Sequence, residues 1–202
     1  MEYIRDEKTI FPIQLINQTM IKTLQNDFKE IEASRELLFN DLKKYTEDQL
    51  NFKPTENEWS ILQVMNHLMM AEVSSVVYVQ KKLTNGLADI PKMDAEGDER
   101  FAQLTSYMQA DNRTSAPPMV TPTFERTTLA ATREGWDTIR QDTATQLERF
   151  GEADLNKAAY KHLLVGRMSI VQMLGFFRLH FNRHLGQIER IKAAMGIGEL
   201  GN

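Results

Sequence analysis

Met168-Ser169-Ile170-Val171-Gln172-Met173-Leu174-Gly175-Phe176-Phe177-Arg178-Leu179-His180-Phe181-Asn182-Arg183-His184-Leu185-Gly186-Gln187-Ile188 is the stretch on which the fold and the chemistry of this chain both turn. Met173, Phe177, His180, His184, Ile188, Ile191 and Met195 recur at steps of three or four, the period of a helix with one buried face. His180 and His184 lie within that apolar stripe. Four residues apart on a helix, their rings leave about 40° apart in azimuth and roughly 6 Å apart along the axis. Two imidazoles in a core cost a few kcal/mol, on the order of a lost hydrogen bond each, unless each finds a partner. A shared metal ion would supply one; buried hydrogen bonds to carboxylates or backbone would supply another.

Working outward, His67 sits in a second helical segment beginning near Ile61 and stopping at Asn85-Gly86. Ser60 is placed to cap it, with Trp59 packing just before. Ile61, Val64, Met65, Leu68 and Val76 form its buried stripe. Val64, His67, Ala71, Ser74 and Tyr78 form a narrower edge of small and polar residues, which leaves room for a pocket beside His67. A first helix is expected from about Met20 to Asp48, with Leu24, Phe28, Ile31, Leu38, Leu42 and Tyr45 inside, Arg35 in the gap between two of them, and Lys29, Glu30, Lys43 and Lys44 on a wet face. A third is expected over Thr128 to Phe150, with Leu129, Trp136, Ile139, Leu147 and Phe150 as core. The fourth begins after Gly166, capped by Ser169 or a neighbour, and ends at Gly196.

Between these helices, residues 86–127 are irregular and hold Pro91, Pro117, Pro118 and Pro122. So long a connection reads as a crossover and a lid, with a short helix over Glu99–Met108. Glu152 to Gly166 reads as a loop holding His162, whose expected task is a loop-anchoring hydrogen bond. Residues 1–20 read as an arm along the body. With no convincing strand period, the expectation is a single all-α domain over residues 1–202, a four-helix bundle with a long link between helices two and three. That link allows those two helices to run parallel.

Composition narrows the chemistry. The 202 residues carry a formal net charge of −4, and no basic run exceeds two, which disfavours nucleic acid and acidic membrane as partners. No apolar run approaches the ~20 residues of a membrane span, and the charged start lacks the form of a signal peptide, so a cytoplasmic location is expected. The chain has no cysteine, which removes disulfides, cysteine nucleophiles and Cys-based zinc sites. Phe181 follows His180, so the H-E-x-x-H protease pattern is absent. Three neutral ligands with an open position, His67, His180 and His184, would make a catalytic site and not a closed structural one. Gln187, Arg183 and Tyr78 are the helper candidates. Glu72 points away from His67 and is expected to be solvated or a neighbour of the site, not a ligand.

Trp59-Ser60-Ile61-Leu62-Gln63-Val64-Met65-Asn66-His67-Leu68 resembles the first motif of the DinB/YfiT-like superfamily, in which a Trp-Ser pair leads into a helix bearing a metal-binding histidine. His162-Leu163-Leu164-Val165-Gly166-Arg167-Met168-Ser169, followed by His180-Phe181-Asn182-Arg183-His184-Leu185-Gly186-Gln187-Ile188, is similar to its second. The resemblance implies a four-helix bundle in which His67, His180 and His184 bind one divalent metal, zinc or nickel. It implies a metal-dependent enzyme that activates a thiol or water, a transferase using a low-molecular-weight thiol or a hydrolase acting on a small molecule. Phe181 departs from the polar residue common after the first C-terminal histidine. The competing expectation is a non-catalytic bundle that binds a small molecule or a partner, with the histidines apart or the pocket filled by Met and Phe. A homodimer is expected on general grounds.

Overall fold

Four long helices carry the fold: α1 (Lys22–Leu42), α3 (Ile61–Lys82), α5 (Leu129–Leu147) and α6 (Ile170–Ala194). Two shorter helices, α2 (Glu47–Leu50) and α4 (Gly97–Gln109), and a hairpin of β1 (Tyr160–His162) and β2 (Gly166–Met168) connect them. This computed structural model describes residues 19–110 and 116–196, and the expected arm over residues 1–20 lies almost wholly outside them.

Local chemistry sets the helix starts. Ser60 and Ser169 each close a capping box: the hydroxyl accepts the N–H of Gln63 or Gln172, whose side chain accepts the serine's own N–H. The expected stripes then face inward. Leu24, Phe28, Ile31, Leu38 and Leu42 are buried on α1, as are Met173, Phe177, His180, Ile188 and Ile191 on α6.

Helices α1 and α3 each pack against α5 and α6, closing a ring of four. Glu36 meets Arg133 while Glu32 meets Arg140, so α1 and α5 run antiparallel. Met69 lies over Gly135 and Glu72 meets Arg140, so α3 and α5 run parallel. A parallel pair obliges the chain to retrace the ~33 Å that a 22-residue helix spans. Residues 86–127 do this, with α4 laid on α6. Phe101 of α4 approaches Gly175 so closely that a Cβ there would fall 2.6 Å from the ring. The return end is pinned by Asn51, whose amide donates to the Thr127 carbonyl at 2.9 Å and accepts its N–H at 3.1 Å. Gln63 adds a bond to the Phe124 carbonyl at 2.9 Å.

Two expectations need correction. The stretch from Glu152 to Gly166 is not wholly loop: β1 and β2 pair antiparallel, His162 opposite Gly166. Three-residue strands are too short to show a period against the surrounding loop. Gly166, at φ +85°, supplies the left-handed residue that the turn needs.

The second correction concerns charge. Glu72, expected to be solvated or a neighbour of the site, is buried together with Arg35, Asp137 and Arg140, while Lys29, Glu30, Lys43 and Lys44 are exposed. Arg35 meets Asp137 at 2.6 Å and Glu32 at 3.0 Å, Arg140 meets Glu72 at 2.8 Å, and the Trp136 indole donates to Glu72 at 2.9 Å. Glu72 is thus neither solvated nor beside the histidines. Burial pushes its carboxyl above the usual range, against the pull of Arg140 and the Trp136 N–H. The buried side-chain atoms without a hydrogen-bond partner among the described residues all fall in this network, on Glu32, Arg35, Arg133 and Arg140. No described helix is long and apolar enough to cross a membrane.

Candidate metal centre

His67 leaves the second turn of α3, and His180 and His184 leave α6 one turn apart, facing it. Their ring centroids stand 4.7 to 4.9 Å from one another. His67 Nε2 lies 3.0 Å from His180 Nε2, and His184 Nε2 lies 3.1 Å from the same atom. The three offer ligand atoms all within 4.8 Å of one another, so they could hold a metal ion. Nitrogens around tetrahedral zinc, with bonds of 2.0–2.1 Å, stand about 3.3 Å apart. The preformed spacing is close to that.

The outer nitrogens fix the tautomers. His67 Nδ1–H donates to the Val120 carbonyl at 2.7 Å, and His184 Nδ1–H donates to Gln187 Oε1 at 2.8 Å. A neutral imidazole has one N–H, so both Nε2 atoms present lone pairs. His180 Nε2 stands between them with at most one proton, so two lone pairs compete for one donor. A cation would satisfy all three. Hydrogen bonds from the far ring nitrogen to a carbonyl or an amide oxygen are the usual way a ligating histidine is oriented. Burial also keeps the rings neutral: it pulls His67 below its ordinary value, His180 well below, and His184 down to about 4.

The trio lines a cavity of about 1150 Å³. Ala71, Ser74 and Tyr78, the small and polar edge of α3, line it beside His67. Pro117, Met119, Val120 and Thr121 line it too, so the crossover that carries Val120 also forms a wall. Trp59 packs on the His67 ring at 5.0 Å, and Phe176 stacks on His180 at 5.3 Å. Met119, Leu163 and Leu164 are large apolar side chains that line the cavity yet stay more than half exposed.

Of the other sequence candidates, Gln187 holds His184. Tyr78 lines the cavity edge-on to Tyr160, 6.3 Å away. Arg183 also lines it, with Nη1 donating to the carbonyls of Tyr107, Met108 and Ala110 at the end of α4. Phe181 points the other way, into the core 6.4 Å from Trp136, so the departure at that position does not touch the histidines. The Tyr160 hydroxyl, missed in the sequence reading, bonds Ser75 at 3.0 Å, and burial pushes it up to about 12.

The DinB superfamily model matches residues 30–188, from within α1 through α3 and α5 to within α6. This chain belongs to the DinB superfamily. Among DinB-like relatives it is similar to the uncharacterized protein YuaE of Bacillus subtilis strain 168, 25% identical over 154 residues, covering 76% of this chain and 90% of that protein. No solved structure matches.

Proposed function

We propose that this DinB-like protein is a divalent-metal-dependent enzyme that activates a thiol or a water for S-transfer or hydrolysis on a small molecule. The observation that carries the reading is the convergence of three Nε2 atoms, two of them fixed as lone pairs, on the wall of an open cavity. His67, His180 and His184 are the proposed ligands, and zinc or nickel suits an all-imidazole set. A divalent ion held by three neutral imidazoles keeps its full charge and lowers the pKa of a bound water or thiol toward neutrality.

The chain's own residues do the rest. Val120 and Gln187 hold two rings in the tautomer that a ligand needs. Arg183 holds the end of α4 beside the cavity through the carbonyls of Tyr107, Met108 and Ala110. Tyr78 lines the cavity and is the proposed proton donor. The apolar lip of Met119, Leu163 and Leu164 suits a substrate with a nonpolar portion. A non-catalytic bundle with scattered histidines or a filled pocket fits less well, since the rings gather and the cavity is open.

Metal analysis of protein purified without chelator tests the proposal. About one zinc or nickel per chain is expected, falling to background in His67→Ala. A wild-type protein without metal, which also takes up none on dialysis against zinc, overturns it.

A further inference from the structure

His162 is the fourth histidine of the chain, and the metal reading does not use it. Its side chain lines the same cavity while the residue is only 7% exposed. Its expected task as a loop anchor is met at one nitrogen: Nδ1 accepts the Leu164 N–H at 3.3 Å across the hairpin turn. An Nδ1 that accepts cannot carry the proton, so the neutral ring carries it on Nε2. Burial pulls this histidine down to about 4, which keeps the ring neutral at ordinary pH. Nε2 has no hydrogen bond to any described residue, and it is not among the fully buried atoms that lack one. It therefore reaches the cavity as a donor with nothing to donate to.

The ring is held in place. Phe176 meets it edge-on at 4.6 Å and stacks on His180 at 5.3 Å, so one phenyl ring separates His162 from the histidine trio. Tyr160, hydrogen-bonded to Ser75, flanks it at 6.4 Å. An N–H that faces the cavity finds its acceptor in water or in an atom of a bound ligand.

We propose that the Nε2–H of His162 is a second polar anchor of the cavity, donating to a carbonyl or carboxylate oxygen that the bound small molecule carries a few bonds from the atom held at the histidine trio. This rests on the metal reading and deepens it. The substrate class becomes bifunctional: a thiol or water-derived oxygen at the trio, and an acceptor oxygen at His162. His162 acts as a positioning residue that discriminates among such molecules.

The test uses the full chain loaded with cobalt(II), and reads the thiolate-to-metal absorption during titration with 3-mercaptopropionate or 1-propanethiol. These probes match in length, and only the first carries acceptor oxygens. His162→Asn keeps an acceptor for the Leu164 N–H but has no donor at the Nε2 position. It should reduce the preference for 3-mercaptopropionate about tenfold and leave 1-propanethiol affinity unchanged. His162→Gln, which returns an N–H near that position, should restore most of it. An unchanged preference in a cobalt-loaded His162→Asn protein overturns the proposal. Elemental analysis shows separately whether the metal reading has failed. If no cobalt binds, the comparison is made on metal-free protein by following the 15N-resolved Nε2–H proton of His162. That proton shifts with 3-mercaptopropionate and not with 1-propanethiol if the proposal holds, and with neither if it is wrong.

Discussion

Two polar clusters are buried in this bundle, and they solve the problem of burial in opposite ways. Beside α5, the guanidinium groups of Arg35 and Arg140 meet the carboxylates of Glu32, Glu72 and Asp137, so each charge stands against its opposite. Between α3 and α6, three neutral rings turn lone pairs toward one another, with one proton at most to share. The first cluster pairs its charges from within, two guanidinium groups against three carboxyls. The second has no such pairing, and a cation could supply what its lone pairs lack. Burial of polar atoms does not by itself mark a site; the second cluster differs in that its lone pairs gather on the wall of a cavity.

Arg140→Met should break the first cluster with the largest effect. Stranding the buried Glu72 carboxyl is expected to cost about 3–5 kcal/mol of unfolding free energy in urea, with metal content per folded chain unchanged. Adding Glu72→Leu should recover a substantial part of that loss, since a paired apolar replacement leaves fewer charges stranded. If the double variant loses the sum of both singles, the network is not a coupled unit.

His184→Ala should behave in the opposite sense. Without metal it leaves two rings to share a single proton and should be nearly neutral in stability. What it should lose is the gain on adding zinc, roughly 4 kcal/mol at a thousandfold excess over the dissociation constant. Equal stabilisation of wild type and variant by zinc would place the ion elsewhere.

Acid should weaken the histidine side first. His162 and His184 stand at about 4 in the fold against an ordinary value near 6.5, because burial penalises the charged ring. Between those values the unfolded chain binds more protons than the folded one, so stability falls as pH drops from about 6.5 toward 4 and is level above 6.5. Urea midpoints of chelator-treated protein at pH 7.5, 6 and 5 check this. A midpoint constant from 7.5 to 5 contradicts it.

Gln187→Leu should give the smallest effect. It removes the acceptor that orients His184, so zinc affinity should fall by about 10- to 100-fold with the fold intact. Competition against a chromogenic chelator measures it, and an unchanged affinity would make Gln187 a bystander.

Much of this was legible in the sequence because it depends on neighbours along the chain. Ser60 and Ser169 cap because a glutamine stands three residues on. The edge of Val64, His67, Ala71, Ser74 and Tyr78 was readable as a pocket side because small residues at helical spacing leave volume. His180 and His184 were readable as a pair because a helix returns to the same face after four residues. The parallel course of α3 and α5 was within reach, since only a long link permits it.

What the tertiary structure decided are the partners across helices. Arg35 stands within an apolar stripe in the sequence, but only packing shows that it meets Asp137 while Glu72 meets Arg140, all four in the core. The tautomers of His67 and His184 depend on Val120 and Gln187, one of them 53 residues away in a segment without periodicity. His162 gained its meaning in the same way, from a hairpin too short to read and a phenyl ring on another helix. Periodicity is local and carries the helices and their caps; a hydrogen bond or an ion pair is a statement about two distant residues, which only the folded chain brings together.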